Sequence, residues 1–451
     1  MMKSKFLILS TVFLSGCVTS GQDFPLIAFP KMWGNEKNAD VQIVESQSLK
    51  AWWEKFEDPT LNRLIDTTLQ DSPDRLIAEA RVLEARGVRR NARSFLFPQV
   101  GLSSSVGRQD NAASPIDDYY DVSFDASYEI DVFGKNRKNV DAADAQIEAL
   151  EEEYRDVTLT LIAEVSRSYV DYRAFQKQSE IARKNLLIQQ NTLELIRQQF
   201  QYGEAPQLDV ERAENLVNTT KSSIPEFERL ADNARLQLSV LTGKMPNELL
   251  PTLSIPADIP GASVVPVLME PAKVMTMRPD IRAASSYLAA NTALAESVTA
   301  ELFPTFSISG LYGVAENVLT SSNSVWNIAA GAAVSLLDFG RIEGRIDSAR
   351  ARETQAFQLY RKTILEAVVQ VETALTDASH INTQRISLQK AYDNAERAFH
   401  LSETLYKEGE ISFLDVLDAQ RTVNDADAAL INARAAQVSS LIRLYKALGV
   451  Y

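Results

Sequence analysis

The chain is poor in the residues from which most reactive sites are built. Its 451 residues hold one cysteine and two histidines. His380 and His400 lie inside one predicted helix with no HExxH pattern and no thiol beside them, so no metal centre is expected. A G-x-S-x-G elbow, a G-x-x-x-x-G-K loop and a strand-to-helix G-x-G-x-x-G are missing as well, and neither catalysis nor a dissociable cofactor is expected. Cations are the minority: 46 Lys plus Arg stand against 60 Asp plus Glu, a net charge of −14. Such a surface holds phosphate backbones poorly, which removes nucleic acid from the expected partners. Acidic runs such as Glu151-Glu152-Glu153 read as a solvated helix face. Beyond the N-terminus no 18 apolar residues follow one another, so no transmembrane helix is expected. Glycine and proline number only 17 and 16, which favours long regular elements.

What is present begins with an export signal. Lys3 and Lys5 precede a short apolar run, Phe6 to Phe13, closed by Leu14-Ser15-Gly16-Cys17. These last four residues match the bacterial lipobox. Residues 1–16 are therefore expected to be removed and Cys17 to carry a covalent lipid. Val18, where an Asp would favour retention at the inner membrane, leaves the outer membrane favoured. Residues 17–58 read as the anchor and an irregular segment trailing from it.

The mature chain repeats itself at an offset of 206 residues: Pro73-Asp74 returns as Pro279-Asp280, Phe133-Gly134 as Phe339-Gly340, Gly203 as Gly409, Asp209 as Asp415 and Gly243 as Gly449. These residues punctuate turns and caps, so residues 59–243 and 279–451 should build one supersecondary pattern twice. Between them, residues 244–278 contain Pro246, Pro251, Pro256, Pro260, Pro266 and Pro271 and read as an extended connector. Asp58-Pro59 and Ser72-Pro73 each read as an N-cap followed by Pro at the first helical position, the second helix reaching about Leu96.

Within each repeat the period of the pattern changes. Tyr120, Val122, Phe124, Ala126, Tyr128 and Ile130 alternate with Asp121, Ser123, Asp125, Ser127 and Glu129. Val100 to Val106, Phe306 to Val314 and Trp326 to Leu336 alternate in the same way. Polar loops are expected at Arg108–Tyr119 and Ala315–Ser324. Each run matches the roughly 9 to 11 residues of a tilted membrane strand, with Tyr and Trp near the strand ends as interfacial aromatics. Four strands cannot close a barrel, and lipid tolerates no open edge. Two chains would give a filled eight-stranded barrel and three a twelve-stranded one with a lumen, so a homotrimer is expected. After the strands, 68 residues from Lys135 to Tyr202 and 64 from Arg345 to Glu408 lack Gly and Pro. Each is long enough for a helix of about 100 Å. Apolar residues at threes and fours (Tyr154, Thr158, Ile162, Val165, Tyr169) form a coiled-coil seam. Each helix ends at a turn, Gly203-Glu204-Ala205-Pro206 or Gly409-Glu410-Ile411-Ser412, and a second helix returns to Gly243 or Gly449.

In these features the chain resembles the TolC-like outer membrane factors, most closely the lipoprotein branch that works with resistance-nodulation-division pumps. The resemblance rests on Trp52-Trp53 through Phe56-Glu57-Asp58-Pro59, on Tyr128 to Gly134, on Leu337-Asp338-Phe339-Gly340, and on Tyr406-Lys407-Glu408-Gly409 followed by Leu414-Asp415-Val416-Leu417-Asp418. It implies a trimer of mainly α chains, with a shared twelve-stranded membrane barrel and a helical periplasmic tunnel. It places Asp415, Asp418 and Tyr406 at a closed periplasmic gate. It makes the turns Gly203–Pro206 and Gly409–Ser412 the contact for a periplasmic adaptor serving an inner-membrane pump. Where relatives carry a gating arginine, this chain has Ile411, so its closure cannot copy theirs. The function expected is an outer-membrane efflux duct. Two alternatives share parts of the pattern: a duct for type I protein secretion, and a structural periplasmic lipoprotein without a channel.

Overall fold

The computed structural model describes residues 24–25, 27–35, 42–43, 50–111, 114–261, 266–317 and 320–451. The leader and Cys17 lie outside them. The chain forms β1 (Gln42–Ile43), α1 (Pro59–Asp71), α2 (Pro73–Ser94), β2 (Gln99–Asn111), β3 (Ser114–Ile130), α3 (Lys135–Gln201), α4 (Gln207–Thr242), α5 (Pro246–Leu253), β4 (Val267–Leu268), α6 (Pro271–Met277), α7 (Pro279–Thr299), β5 (Thr305–Asn317), β6 (Thr320–Ala333), α8 (Arg341–Lys407) and α9 (Phe413–Leu448). Internal contacts divide it into two units, one centred on Ala85–Ile147 and Ser286–Gln358, the other on Ile27–Glu84, Glu148–Ser285 and Leu359–Tyr451.

The first unit contains the four-stranded antiparallel sheet, in the order β2-β3-β5-β6. The alternation carries through: Leu102 lies opposite Phe124, Phe124 opposite Tyr312, and Tyr312 opposite Trp326. That face is apolar and exposed, with Val106 at 85% and Ile328 at 76%. The other face carries mostly serine, glycine and aspartate, with Leu311 and Val325 among them. There Ser103 and Ser123 hydroxyls meet at 3.1 Å and the Ser105 hydroxyl donates to Asp121. The strands are longer than expected and run through most of both predicted loops, helped by a cross-strand pair in which Arg108 Nε donates to Asp118 at 2.6 Å. Tyr312 and Trp326 sit in mid-strand rather than at strand ends. The last strand stops at Ala333, because β5, which pairs with it, begins at Thr305. The helices of this unit pack through small residues, Ala142, Ala290, Ala293 and Ala349 being buried.

The second unit holds the main apolar core, in which Leu61, Ile65, Ile162, Val165, Tyr169, Leu375, Ile442 and Leu448 are all buried. Its connector is not wholly extended, as the proline count suggested. Pro246 and Pro271 begin α5 and α6, at positions where no helix needs an N–H. Arg173, fully buried, holds this connector by donating to the carbonyls of Ile255 at 2.7 Å and Leu253 at 3.3 Å. Its Nε donates to the Tyr169 hydroxyl at 2.9 Å, which donates in turn to Asp58 at 2.8 Å. Asp58 also caps α1, accepting from the N–H groups of Thr60 and Leu61. Burial pushes the Tyr169 phenol up to about 12, so it stays a donor at any physiological pH. At the second expected cap only the backbone does the work: the Ser72 carbonyl accepts from Leu76, while its buried hydroxyl has no partner among the described residues.

The repeat is visible in backbone angles. Glycines 134, 203 and 243 have φ of 81°, 76° and 67°, and glycines 340, 409 and 449 follow with 84°, 79° and 75°. The return helices differ at their middle. Pro225 lies inside α4, where Ser222 and Ser223 hydroxyls turn back to the carbonyls of Thr219 and Thr220. The equivalent residue of α9 is Ile431, which is buried.

Not every left-handed glycine is equally constrained. A Cβ on Gly203 meets nothing within 4 Å, whereas one on Gly243 falls 2.3 Å from the Asp71 carbonyl oxygen. Gly203→Ala should cost only the backbone term of about 1–2 kcal/mol. Gly243→Ala should cost that and the clash, and its apparent unfolding temperature in detergent should fall clearly further.

Candidate functional site

The two interhelical turns and the helix ends beside them gather nearly every residue singled out above. The turns are built alike because the sequence repeats. In the first, Gly203 donates to the Phe200 carbonyl and Glu204 to that of Gln199; in the second, Gly409 donates to Tyr406 and Glu410 to Leu405. These are the paired bonds of a helix stop whose left-handed residue is glycine. Gly203, Glu204, Pro206, Gly409, Glu410 and Ser412 are exposed, while Ala205 and Ile411 lean on a small apolar core. That core is formed by Leu193, Ile196, Ala213, Val217, Phe413, Val416 and Leu417, drawn from α3, α4 and α9. It explains why Ile411 is tolerated here: it supplies packing and no charge.

Tyr406 belongs to the same cluster. Its ring lies 5.6 Å from that of Phe413, and its hydroxyl donates to Gln199 Oε1 at 2.8 Å, tying α8 to α3. Burial, with the negative charge of Asp209 nearby, raises its pKa, so the phenol remains a donor. Gln199 was not recoverable from the sequence: it precedes the first turn with no motif, and its partner is 207 positions away.

The two aspartates are placed differently. Asp415 is in the first turn of α9, where its Oδ2 accepts from the Ser412 N–H at 3.0 Å and from the Ser412 hydroxyl at 2.7 Å. These bonds hold its carboxyl below the usual range. The carboxylate is thus turned back onto the helix start, one half of a capping box. Asp418, one turn on, is exposed and forms no ion pair among the described residues. It lines a groove of about 370 Å³ between α4 and α9, together with Arg212, Asn215, Leu417 and Arg421. Arg212 has Asp209 within 3.4 Å. The repeat relates Asp209 to Asp415 but Arg212 to Asp418, so equivalent positions carry opposite charge. That inversion was legible in the sequence to anyone comparing charges at the offset as well as turn residues. His400, 3.4 Å from Glu403, is exposed on α8. Among the described residues no cluster of three His, Cys, Asp or Glu could hold a metal ion.

A family model described as outer membrane efflux protein matches residues 64–244 and 271–450, one stretch for each repeat. The pyoverdine export outer membrane protein OpmQ of Pseudomonas aeruginosa is 29% identical over 99% of this chain and 97% of its own length. The probable outer membrane lipoprotein SilC of Salmonella typhimurium is 28% identical over 100% and 99%. The solved outer-membrane channel OprN superposes with a TM-score of 0.87 at 29% identity, covering 96% of this chain and 99% of that one.

The cap on α9 gives a pH signature with a defined sign. Asp415 has a depressed folded pKa, so its contribution is fully present above the ordinary aspartate value and is lost as pH falls through the lower folded value. At neutral pH, Asp415→Ala should speed amide hydrogen exchange over residues 411–416. The wild type should show the same acceleration only below the usual carboxylate range.

Proposed function

We propose that this chain, which belongs to the outer membrane efflux protein family, is the passive outer-membrane exit duct of a tripartite pump for small molecules. The family forms homotrimeric outer-membrane channels of such pumps. The observation that carries the reading is the sheet: four strands, an exposed apolar face, and two edges, β2 and β6, with no partner strand among the described residues. In hydrocarbon every unpaired N–H and C=O costs several kcal/mol, so such a sheet must be completed by neighbouring copies. Three chains supply twelve strands and leave a lumen.

In this reading Cys17 carries the lipid that tethers the chain to the outer membrane. The exposed turns Gly203–Pro206 and Gly409–Ser412 meet a periplasmic adaptor, which couples the duct to an inner-membrane pump. The chain itself supplies no energy. The groove between α4 and α9 forms the periplasmic aperture, held by the Tyr406–Gln199 bond and the apolar cluster around Phe413. Asp418 attracts cations there and Arg212 offsets it, while the carboxylate of Asp415 is already engaged by Ser412. OpmQ is named for pyoverdine export, which fits a small-molecule cargo here.

Single-channel recording in planar bilayers tests this. Trimers extracted from outer membranes should give a small cation-selective conductance. Asp418→Ala should lower the cation-to-anion permeability ratio severalfold, and Arg212→Ala should raise it. Asp415→Ala should change it less than Asp418→Ala. Selectivity identical in all variants would remove these residues from the aperture. Folded trimers that never conduct would favour the structural lipoprotein instead.

A further inference from the structure

The packing stripe of α9 is interrupted. Counting from Leu417 by threes and fours gives Gln420, Asn424, Asp427 and Ile431, the spacing of one coiled-coil seam. Leu417 belongs to the cluster around Phe413 and Ile431 to the main core, but the three positions between them are polar. One polar residue on such a seam can set register at some cost in stability, whereas three in succession cannot close against apolar neighbours. They line a cavity of about 740 Å³ instead, within the size range of small-molecule sites. On one side α3 contributes Ile181, Lys184 and Ile188, and on the other α8 contributes Tyr392, Glu396 and Phe399. α9 is tied to both: Gln178 of α3 donates to Asn432 at 2.7 Å, and Arg434 donates to Gln389 of α8 at 2.9 Å.

The polar groups of this cavity lack partners. Gln420 lines it at 5% exposure, and its amide makes no hydrogen bond among the described residues. Asp427, half-buried, likewise has neither a hydrogen bond nor an ion pair there. Burial pushes its carboxyl up, in spite of Arg434 and Lys184 nearby. Gln189, next to Ile188 in the chain, is buried with neither amide atom partnered among the described residues. The cations of the lining are engaged or lie at its open side. Lys177 is held by Glu180 at 3.0 Å and Asp258 at 3.6 Å, Arg434 is turned to Gln389, and Lys184 is exposed. On α8, Tyr392 donates to Glu396 at 3.1 Å. Burial, that bond and the negative charge of Asp427 push its phenol up to about 12. A free carboxylate and free amides thus stand beside aromatic rings. That combination receives an organic ammonium, whose N–H groups satisfy the acceptors while the ring faces attract its charge.

We propose that the cavity between α3, α8 and α9 binds a protonated arylalkyl amine, its ammonium on Asp427 and the Gln420 carbonyl and its ring among Phe399, Ile181 and Ile188. The site is separate from the aperture. Asp427 lies nine residues beyond Asp418, about two and a half turns, and therefore on the opposite face of α9. Asp418 lines the groove shared with α4, and Asp427 the cavity shared with α3 and α8. A bound amine supplies the contacts that the seam lacks between its two apolar stretches, so occupancy stabilises the three helices together. The site goes beyond the duct reading and does not depend on it.

Dansylcadaverine, which joins one primary ammonium to one aromatic ring system, tests the site in the full-length protein purified in detergent. Its N-acetyl derivative is the uncharged control. Fluorescence titration and calorimetry should show the amine binding at least tenfold more tightly than the acetylated form. Asp427→Asn, which keeps the shape and removes the charge, should weaken the amine at least tenfold and leave the acetylated form unchanged. Lys184→Ala should tighten the amine severalfold by removing a competing cation. The amine should also raise the apparent unfolding temperature of the wild type but not that of Asp427→Asn. Equal affinity for the two compounds would mean partition into apolar space or detergent, and would overturn the site. So would the absence of saturable binding up to millimolar amine. Loss of binding in Asp418→Ala with Asp427→Asn unaffected would move the cation to the aperture, which also overturns it. If Asp427→Asn does not fold, Lys184→Ala still decides, since no gain in amine affinity there would overturn the proposal. None of these readings uses conductance: the site can fail while the duct stands, and a protein that binds the amine but never conducts would sink the duct alone.

Discussion

A sheet with two bare edges is the constraint on which the rest of this molecule depends. Backbone groups in hydrocarbon have no water to turn to, and β2 and β6 each offer a row of them along more than ten residues. The apolar side chains on one face and the serines and aspartates on the other leave little choice of orientation: one face suits lipid and the other a wet interior. A shift of one residue in register would exchange the two faces, so the alternation that makes the sheet amphipathic also fixes its pairing. The sheet's chemistry therefore requires other copies.

The second unit solves a different problem. Helices of 67 residues, such as α3 and α8, cannot be held by intrinsic propensity and need neighbours along their length. The core around Trp52, Tyr169 and Tyr445 provides one anchor, with Trp52 stacked on Tyr445 at 5.1 Å, and the cluster around Phe413 another. Buried cations pin the irregular parts. Arg173 takes the connector's carbonyls, and Arg278 donates to the Ala447 carbonyl at 2.7 Å near the end of α9 while pairing with Asp280. A planar guanidinium suits this task because it satisfies several fixed acceptors at once and keeps its charge. Each of these sites would become a buried unpaired acceptor set if the arginine were removed.

Much of this is legible in the sequence. The order of elements, the repeat and the positions of the turns follow from where glycine, proline and the period-two runs fall, since each is a local physical preference. The strand ends were less legible. Polar residues at Arg108 and Asp118 read as a loop, yet they pair across the strands, because an ion pair can extend a hairpin that hydrophobicity alone would end. The connector misled for a related reason: proline marks a helix start as readily as a break, and Pro246 and Pro271 are starts. The sequence located both helix stops, at Gly203 and Gly409. It could not say that Asp415 faces back to Ser412, or that Tyr406 reaches Gln199, because those are outcomes of packing between segments far apart in the chain.

One asymmetry between the repeats has a mechanical meaning. In α4 the ring of Pro225 removes the N–H that the Lys221 carbonyl would have accepted, and its bulk crowds that carbonyl. In α9 the same level is spanned by Ile431, with the hydrogen-bond ladder free of proline and the side chain embedded in the core. A bending load shared by the two return helices would therefore not be shared equally. α4 would yield at its middle with one fewer bond to break, while α9 would resist as a stiffer rod. Two hairpins with nearly the same outline are, in compliance, a spring and a strut.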